Sequence, residues 1–266
     1  MKILFWNTQK KPLASEITEL IAEEDCDIAA FCETDEKTVV DAIGALEIQH
    51  NRTYLFQTTP GCDRIKVILK KEINGITLLN QHKYFSLMKL TKPGKELIIG
   101  FVHLPSKMHH SLDEIRRASE LLNCQIQEEE AAHGINDSLI MGDFNVDPFE
   151  MPMISFTGMS ATNSIDCMNK DVITRAEESK RLFYNPMWSL YSSHSERPGS
   201  HKFRRFGEDV INWHFLDQVI IRPSLINKFD FKALKLIFNT TSFMFTNRNG
   251  RPVASDHLPI SCEVEF

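Results

Sequence analysis

Short apolar segments recur along the chain, and they are the feature that most limits how it can fold. "KILFW" (2–6) and "DIAAFC" (27–32) are apolar after their first residue. Segments of this length, rich in aromatic and β-favouring residues, predict buried strands rather than helices. Between 53 and 104, further segments follow one another with Pro, Gly or Asn between them. That spacing predicts an antiparallel meander.

Helical spacing of apolar residues appears in two longer stretches, 13–26 and 111–134. Ser111 is predicted to cap the second helix with Glu114 three residues on, and Gly134 is predicted to end it. A further helix is expected after the second strand. Strands that are fully apolar or alternating, together with these helices, predict two packed sheets with helices outside.

Length and composition favour one domain over residues 1–266, because no linker, repeat or low-complexity tract interrupts the chain. A chain this long can bury a large core without covalent cross-links. The six cysteines include no pair at CxxC spacing, which argues against a zinc knuckle. We therefore expect reduced thiols that pack as small apolar side chains.

The formal net charge is −6, which argues against strong, indiscriminate binding to duplex nucleic acid but leaves a local basic patch possible. The N-terminus has only four consecutive apolar residues, too few for a signal peptide, and no segment approaches the length of a membrane span. The expectation is a soluble, cytoplasmic protein with no membrane partner. Nothing in the sequence defines its oligomeric state.

Polar residues stand where the apolar segments begin or end. They are Asn7, Glu33, His103, Asp143, Asn145, Asp217, Asp256 and His257. Each alone has an ordinary explanation as a turn residue, a cap or a solvated side chain. If neighbouring strand ends converge, however, all of them would line one rim of the sheets, where ligands commonly bind.

With these positions filled, the sequence resembles the metal-dependent endonuclease/exonuclease/phosphatase superfamily. This superfamily includes deoxyribonuclease I-like nucleases, abasic-site endonucleases, sphingomyelinases and inositol polyphosphate 5-phosphatases. The matching segments are "FWNTQ" (5–9), "DIAAFCETDE" (27–36), "GFVHLPS" (100–106), "LIMGDFNVDP" (139–148), "LDQVII" (216–221) and "SDHLPI" (255–260). The combination of "GDFN" with a terminal "SDHLP" is the most specific part. The resemblance implies an α/β fold, a four-layer α/β sandwich with two mixed β-sheets packed face to face and helices outside.

The resemblance also implies hydrolysis of a phosphate ester with the help of Mg²⁺, for which Mn²⁺ could substitute. Mg²⁺ suits this chemistry because it prefers few carboxylates, several waters and substrate phosphate oxygens. Glu33 is the first candidate ligand, and Asn7 and Asp256 would complete or orient the metal site. The ion would polarise the phosphoryl oxygen and stabilise the leaving group.

The catalytic roles follow from the same resemblance. Asp143 would take the proton of the attacking water or orient that water, and Asn145 would donate a hydrogen bond to the phosphate. His257 would face the scissile phosphate, with Asp217 fixing its tautomer. His103 would donate to a non-bridging oxygen. The sequence leaves open whether Asp143 or His257 is the general base.

A basic and aromatic segment at 195–206 precedes Asp217. Mixtures of Arg and aromatic residues can bind phosphate backbones and stack bases, although a charged turn is often only a solvated hairpin. Lys202, Arg204 and Arg205 are the predicted substrate-binding residues.

The leading function is a Mg²⁺-dependent phosphodiester hydrolase, a nuclease that attacks DNA with in-line water and cleaves internally. The alternative is a phosphatase or phosphodiesterase of a small phosphorylated metabolite or lipid headgroup, which the acidic net charge favours. A non-catalytic scaffold is a third reading, and the complete set of polar positions argues against it.

Overall fold

The computed structural model describes residues 1–193, 199–203 and 210–266. The predicted substrate-binding residues Arg204 and Arg205 lie outside these ranges. The strands are β1 (Lys2–Asn7), β2 (Ile28–Cys32), β3 (Tyr54–Gln57), β4 (Ile65–Lys70), β5 (Ile76–His82), β6 (Phe85–Lys92), β7 (Lys95–His103), β8 (Ser138–Asp143), β9 (Ala161–Thr162), β10 (Val172–Arg175), β11 (Glu178–Arg181), β12 (Phe183–Tyr184), β13 (His201–Lys202), β14 (Trp213–His214), β15 (Asp217–Ile221), β16 (Phe229–Leu236) and β17 (Ile260–Val264). The helices are α1 (Ala14–Glu24), α2 (Glu36–His50), α3 (Leu112–His133), α4 (Met151–Ile154) and α5 (Met187–Ser193), with short 3₁₀ helices at Ile165–Met168 and Pro223–Lys228.

Two large mixed sheets form the centre of the fold. The first has the strand order β16-β17-β1-β2-β4-β3, and the second has the order β5-β6-β7-β8-β15-β12-β9. In the first sheet β1 runs parallel to β2, and in the second β7 runs parallel to β8. Two short ribbons, β10-β11 and β13-β14, complete the pairing. The predicted pair of mixed sheets with helices is confirmed.

Alternation along β8 places the second sheet between two apolar layers. Leu139 and Met141 belong to the core cluster shared with the first sheet. Ile140 belongs to a separate cluster that includes Leu122 and Ile126 of α3. Since successive side chains of a strand point to opposite faces, one face of this sheet packs on the first sheet and the other on α3.

The helix ends agree with the sequence signals. Ser111 caps α3, a capping box joins it to Glu114, and Gly134 ends the helix with a left-handed φ of 66°. Helix α1 is shorter than predicted, because Asp25 adopts a left-handed φ of 51° directly after Glu24.

The predicted meander is correct only in part. Strands β5, β6 and β7 form an antiparallel meander in the second sheet, but β3 and β4 form a hairpin in the first. Strand β4 also pairs with β2, and Ile28 lies opposite Leu69. The short apolar segments identified the longer strands correctly but not the short strands β9 to β12. The choice of sheet depends on contacts distant in sequence.

All six cysteines, which lie in the described ranges, are free, as predicted. Five are buried and Cys124 is partly buried. None of the described helices is long and apolar enough to cross a membrane.

Candidate active site

The predicted site residues meet at one rim because of how the central strands pair. Strands β7 and β8 end together, with His103 opposite Asp143. Strand β15 runs antiparallel to β8 and begins at this edge, with Asp217 also opposite Asp143. In the other sheet, Asn7 at the end of β1 lies opposite Cys32, the residue before Glu33. Polar groups from both sheets therefore face the same opening.

Asn7 links the two sheets at this rim. Its Nδ2 donates to Oδ2 of Asp143 at 3.0 Å and approaches Oε1 of Glu33 at 3.3 Å. Glu33 has a left-handed φ of 50°, and its backbone oxygen accepts from Thr8 Oγ1 and from the Lys10 N–H, each at 2.7 Å. These contacts fix the backbone from which the Glu33 carboxylate projects.

The "GDFN" turn holds Asp143 and Asn145 side by side. Asn145 has a φ of 57°, and its backbone N–H donates to Oδ1 of Asp143 at 2.8 Å. Its side-chain Nδ2 donates to the backbone oxygen of Leu104 at 2.8 Å, which leaves the second hydrogen of that amide group as a donor. Gly142 is needed beside this turn, since a Cβ there would lie 2.2 Å from the Val102 backbone oxygen.

The Asp143 carboxyl group is buried, and burial raises its pKa to about 7 although the nearby His257 imidazole opposes that rise. Loss of hydration disfavours the charged form of a carboxylate. Asp143 is therefore positioned to gain and lose a proton near neutral pH.

His257 is also buried, but a neighbouring carboxylate favours its charged form. Its Nδ1 lies 2.7 Å from Oδ2 of Asp217, and its backbone oxygen accepts from Nε1 of Trp6 at 3.0 Å. Burial opposes protonation of the ring, but the Asp217 carboxylate outweighs burial and the pKa of His257 rises to about 10. At neutral pH this imidazole carries a proton on each ring nitrogen.

His103 completes the centre of the rim. Its Nε2 lies 3.6 Å from Oε1 of Glu33 and 3.9 Å from Oδ2 of Asp143. Burial lowers the pKa of His103 to about 4, although Glu33 opposes that change. A neutral imidazole of this kind offers one N–H donor.

Asp256 lies on the side of His257 and is 40% exposed at its side chain. Gln9 Nε2 donates to its Oδ2 at 2.8 Å, and Nε2 of His201 lies 3.6 Å from the same atom. Partial burial opposes ionisation of Asp256, but the His201 and His257 imidazoles outweigh it and hold the pKa of the carboxyl group below its usual value.

Gln9 and His201 were not predicted as site residues. Gln9 bridges two that were, because its backbone N–H also donates to Oδ1 of Asn7 at 3.0 Å. The ring of His201 lies 4.6 Å from that of His257, centre to centre. Gln9 stands in the matching segment "FWNTQ", which was the available signal, whereas the sequence gives no sign of the contact between His201 and Asp256.

Asp147 and His214 were not predicted as site residues either, and their contact supports the "GDFN" turn. Oδ2 of Asp147 lies 2.5 Å from Nδ1 of His214, and its Oδ1 accepts the Phe215 N–H at 2.9 Å. This carboxylate ties the turn after β8 to the residues that lead into β15. Its position inside "GDFNVDP" was the only sequence signal for it.

Three sets of described side chains bring possible ligand atoms within 4.8 Å of one another. They are Cys32, His103 and Asp143; Asp143, Asp217 and His257; and His201, Asp256 and His257. Burial raises the pKa of Cys32 well above its usual value, so this thiol is a poor ligand, since metals bind the thiolate.

The oxygen donors of the rim fit a hard cation better than a soft one. Asn7, Glu33, Asp143 and Asp256 supply amide and carboxylate oxygens, the ligand types that Mg²⁺ prefers. The structure brings Asn7 and Glu33 together and places Asp256 beside His201 and Gln9.

Lys202 is the one predicted substrate-binding residue within the described ranges. It lies on β13, which pairs with β14, and its Nζ is 5.1 Å from the centre of the Trp213 ring.

The model of the Endonuclease/Exonuclease/phosphatase family matches residues 4–257, and the chain belongs to this family. Members are hydrolases that act on phosphodiester bonds, and enzymes of the family use divalent metal ions. A search of curated proteins gave no match.

Solved structures of similar fold agree with this assignment. One is an endonuclease/exonuclease/phosphatase family protein from Leptotrichia buccalis, with a TM-score of 0.61, 16% identity and full coverage of both chains. Another is D. rerio TDP2 complexed with single strand DNA product, with a TM-score of 0.57 and 14% identity over 100% of this chain and 99% of that one. The human Nocturnin catalytic domain with bound sulfate has a TM-score of 0.55 and 15% identity over 100% and 94%. At these identities the likeness concerns the fold.

Proposed function

We propose that this protein is a Mg²⁺-dependent phosphodiester hydrolase that acts on nucleic acid, with DNA as the first choice. The observation that carries the proposal is the pairing of two buried groups at one rim. Asp143 has a pKa near 7 and His257 has a pKa near 10. At neutral pH this pair supplies a base and a cationic donor side by side.

Glu33, Asn7 and Asp256 would hold the Mg²⁺ ion, as the chemistry of their oxygen atoms supports. Bound there, the ion would polarise a phosphoryl oxygen and stabilise the charge on the leaving oxygen. The hydrogen bonds from Asn7 Nδ2 would keep the carboxylates of Glu33 and Asp143 in fixed positions.

Asp143 is the better candidate for the general base. A base works best when its pKa lies near the operating pH, and the pKa of about 7 meets that condition. His257 is already protonated at this pH because its pKa is about 10. It would therefore donate a charge-assisted hydrogen bond to the phosphate, while Asp217 holds the ring by its Nδ1.

Two neutral donors would complete the contacts to the phosphate. His103 is uncharged near neutral pH, and the Asn145 amide keeps one hydrogen beyond its bond to Leu104. Preorganised donors of this kind stabilise charge that develops in the transition state.

A nucleic-acid substrate is supported by the single strand DNA product in the D. rerio TDP2 structure and by Lys202 near the rim. A small phosphoester remains the second candidate, because the net charge of −6 is unfavourable for a polyanion. Both substrates would use the same catalytic groups.

The test is hydrolysis by the purified protein with Mg²⁺, with Mn²⁺ and with EDTA. The substrates are plasmid DNA, single-stranded DNA, RNA, bis(p-nitrophenyl) phosphate and a panel of phosphomonoesters. We expect metal-dependent cleavage of diesters, with nicking of the plasmid if cleavage is internal. Full activity in EDTA would overturn the metal mechanism, and activity on monoesters alone would move the assignment to the small-phosphoester class.

A further inference from the structure

A cavity of about 550 Å³ opens beside Asp256, away from the Asp143 side of the rim. Gln9, His201 and Asp256 belong to its lining, together with several basic and apolar side chains. Its size is within the range of about 300–1,000 Å³ that is usual for small-ligand sites. We call this cavity the basic pocket.

Three cations of the described residues line the basic pocket: Lys11, Lys202 and Arg251. None of them forms an ion pair with a carboxylate in the described part of the chain, where Lys11 Nζ contacts only the backbone oxygen of Val253 at 3.4 Å. Among the described residues of the lining, Asp256 is the one acid, and its Oδ2 already accepts from Gln9. Unneutralised cations in a concave site concentrate positive potential there, in contrast to the net charge of −6.

Arg251 is presented by a closed turn. The side-chain Oδ1 of Asn247 accepts the N–H groups of Asn249 and Arg251, each at 3.0 Å. The Asn247 N–H donates back to the Arg251 oxygen at 2.8 Å. This hydrogen bonding fixes the backbone at Arg251, so the guanidinium group starts from a defined position on the pocket wall.

Exposed apolar side chains lie on the same lining. Met108 is 80% exposed and Phe203 is 42% exposed. The Phe203 ring contacts the His201 and His214 rings edge-on, at 4.6 and 4.9 Å between centres, which orients it beside the site. Aromatic surfaces next to cations suit the base and phosphate of a nucleotide.

We infer that the basic pocket binds the nucleotide unit next to the scissile phosphate. Lys11, Lys202 and Arg251 hold a second phosphate of the substrate, and Phe203 and Met108 contact its base. This inference rests on the proposed function and narrows it, because it selects substrates with a phosphate and a ring beyond the scissile group. Such a unit belongs either to a nucleic-acid strand or to a small nucleotide with two phosphates.

The test uses the double variant Lys11→Ala/Arg251→Ala and two diesters, a thymidine dinucleotide with and without terminal phosphates. In the wild-type protein the phosphorylated dinucleotide should have the lower KM. The variant should lose about 10-fold or more of that preference, in line with the loss of hydrogen bonds from charged donors. Its rate on bis(p-nitrophenyl) phosphate, which has no second phosphate, should stay unchanged.

The matched control is Arg117→Ala/Lys232→Ala, which removes the same charge from side chains that do not line the basic pocket. The control should keep the phosphate preference. If both double variants keep it, or if the wild-type protein cleaves the small diester but shows no preference, the inference fails and the proposed function stands. If the control loses the preference as well, the effect is one of net charge and the inference also fails.

A binding measurement separates this inference from the proposed function. Thymidine 3′,5′-bisphosphate is titrated into wild-type protein and into the Lys11→Ala/Arg251→Ala variant by calorimetry. Weaker binding to the variant supports the pocket even where no diester is hydrolysed, and equal affinity overturns it. The KM of a ten-nucleotide strand is then compared with that of the phosphorylated dinucleotide. A lower KM for the strand shows that the bound unit belongs to a polymer, whereas equal KM values show that it belongs to a small nucleotide.

Discussion

At the scale of single residues, burial raises the pKa of Asp143, and a neighbouring carboxylate outweighs burial at His257. Burial raises the pKa of Asp143 to about 7, whereas the Asp217 carboxylate raises the pKa of His257 to about 10. The two groups lie at one rim, and each favours the charged form of the other. The order of the two pKa values supports the proposal that Asp143 is the base.

The pH profile follows from these values. The base must be deprotonated, so kcat/KM should rise as pH increases through about 7, and the cationic donor must stay protonated, so the rate should fall through about 10. Asp217→Asn removes the group that raises the pKa of His257, and the alkaline limb should move to lower pH. The measurement is kcat/KM for bis(p-nitrophenyl) phosphate from pH 5 to 10.5 in both proteins. An alkaline limb that does not move in the variant would show that His257 is not the group titrating there.

Replacement of the base tests the same assignment by rate. Asp143→Asn should lower kcat by about 10²-fold or more, as expected for the loss of a general base, and the acidic limb of the profile should disappear. A matched change is Asp166→Asn, at a carboxylate for which the structure suggests no role in the site. A variant at Asp143 that keeps the wild-type rate would reassign the base.

Glu33→Gln tests the metal site. The amide retains the shape of the carboxylate but loses its charge, and a hard cation binds less tightly when its site loses one carboxylate. The Mg²⁺ concentration that gives the half-maximal rate should therefore rise about 10-fold or more. Glu36→Gln, at an exposed position three residues on, should leave this concentration unchanged. Equal metal dependence in both variants would remove Glu33 from the ligand set.

How far the sequence predicts the site depends on the range of each contact. Asp143 and Asn145 were found because a single turn holds them. The contacts of Gln9 with Asp256 and of His201 with Asp256 join residues far apart in the chain. No local pattern encodes such a contact, because it forms only when the two sheets and the β13-β14 ribbon have packed.

At the scale of elements, local signals predicted the longer strands and helices well, but they gave no prediction for the short elements between 150 and 200. Alternation and helix caps are read over a few residues, and the α3 boundaries at Ser111 and Gly134 agree with them. Local signals did not show which sheet each strand joins. The hairpin of β3 and β4 joined the first sheet because β4 pairs along the whole of β2.

The capping box of α3 gives a prediction at this scale. Ser111→Ala removes an acceptor for the Glu114 N–H and should destabilise the protein by about 1 kcal/mol. Ser111→Asp keeps a cap at the same position and should restore most of that loss. The measurement is urea unfolding of the three proteins followed by circular dichroism. If the Ser111→Asp variant is no more stable than the Ser111→Ala variant, the cap does not stabilise the helix.

At the scale of the whole molecule, the two sheets share one continuous core, which includes Phe5 and Trp6 of β1 and Leu139 and Met141 of β8. The proposed catalytic and metal-binding groups come from both sheets, so they meet only when the sheets are packed together. We propose on this ground that residues 1–266 form a single catalytic domain. Opening the interface between the sheets would break the hydrogen bond between Asn7 and Asp143 and separate the proposed base from the proposed metal ligands.

A single domain predicts one cooperative unfolding transition. Trp6 lies in the first sheet and Trp188 on α5, so tryptophan fluorescence and circular dichroism should report the same urea midpoint, as should loss of activity.

Thiol labelling gives an independent check, because Cys26, Cys32 and Cys262 are fully buried and burial raises the pKa of each. In native protein the partly buried Cys124 should react with a thiol reagent first, and these three should react only across the unfolding transition. Different midpoints for tryptophan fluorescence and circular dichroism, or labelling of any of these three cysteines before the transition, would show that the chain does not unfold as one cooperative unit.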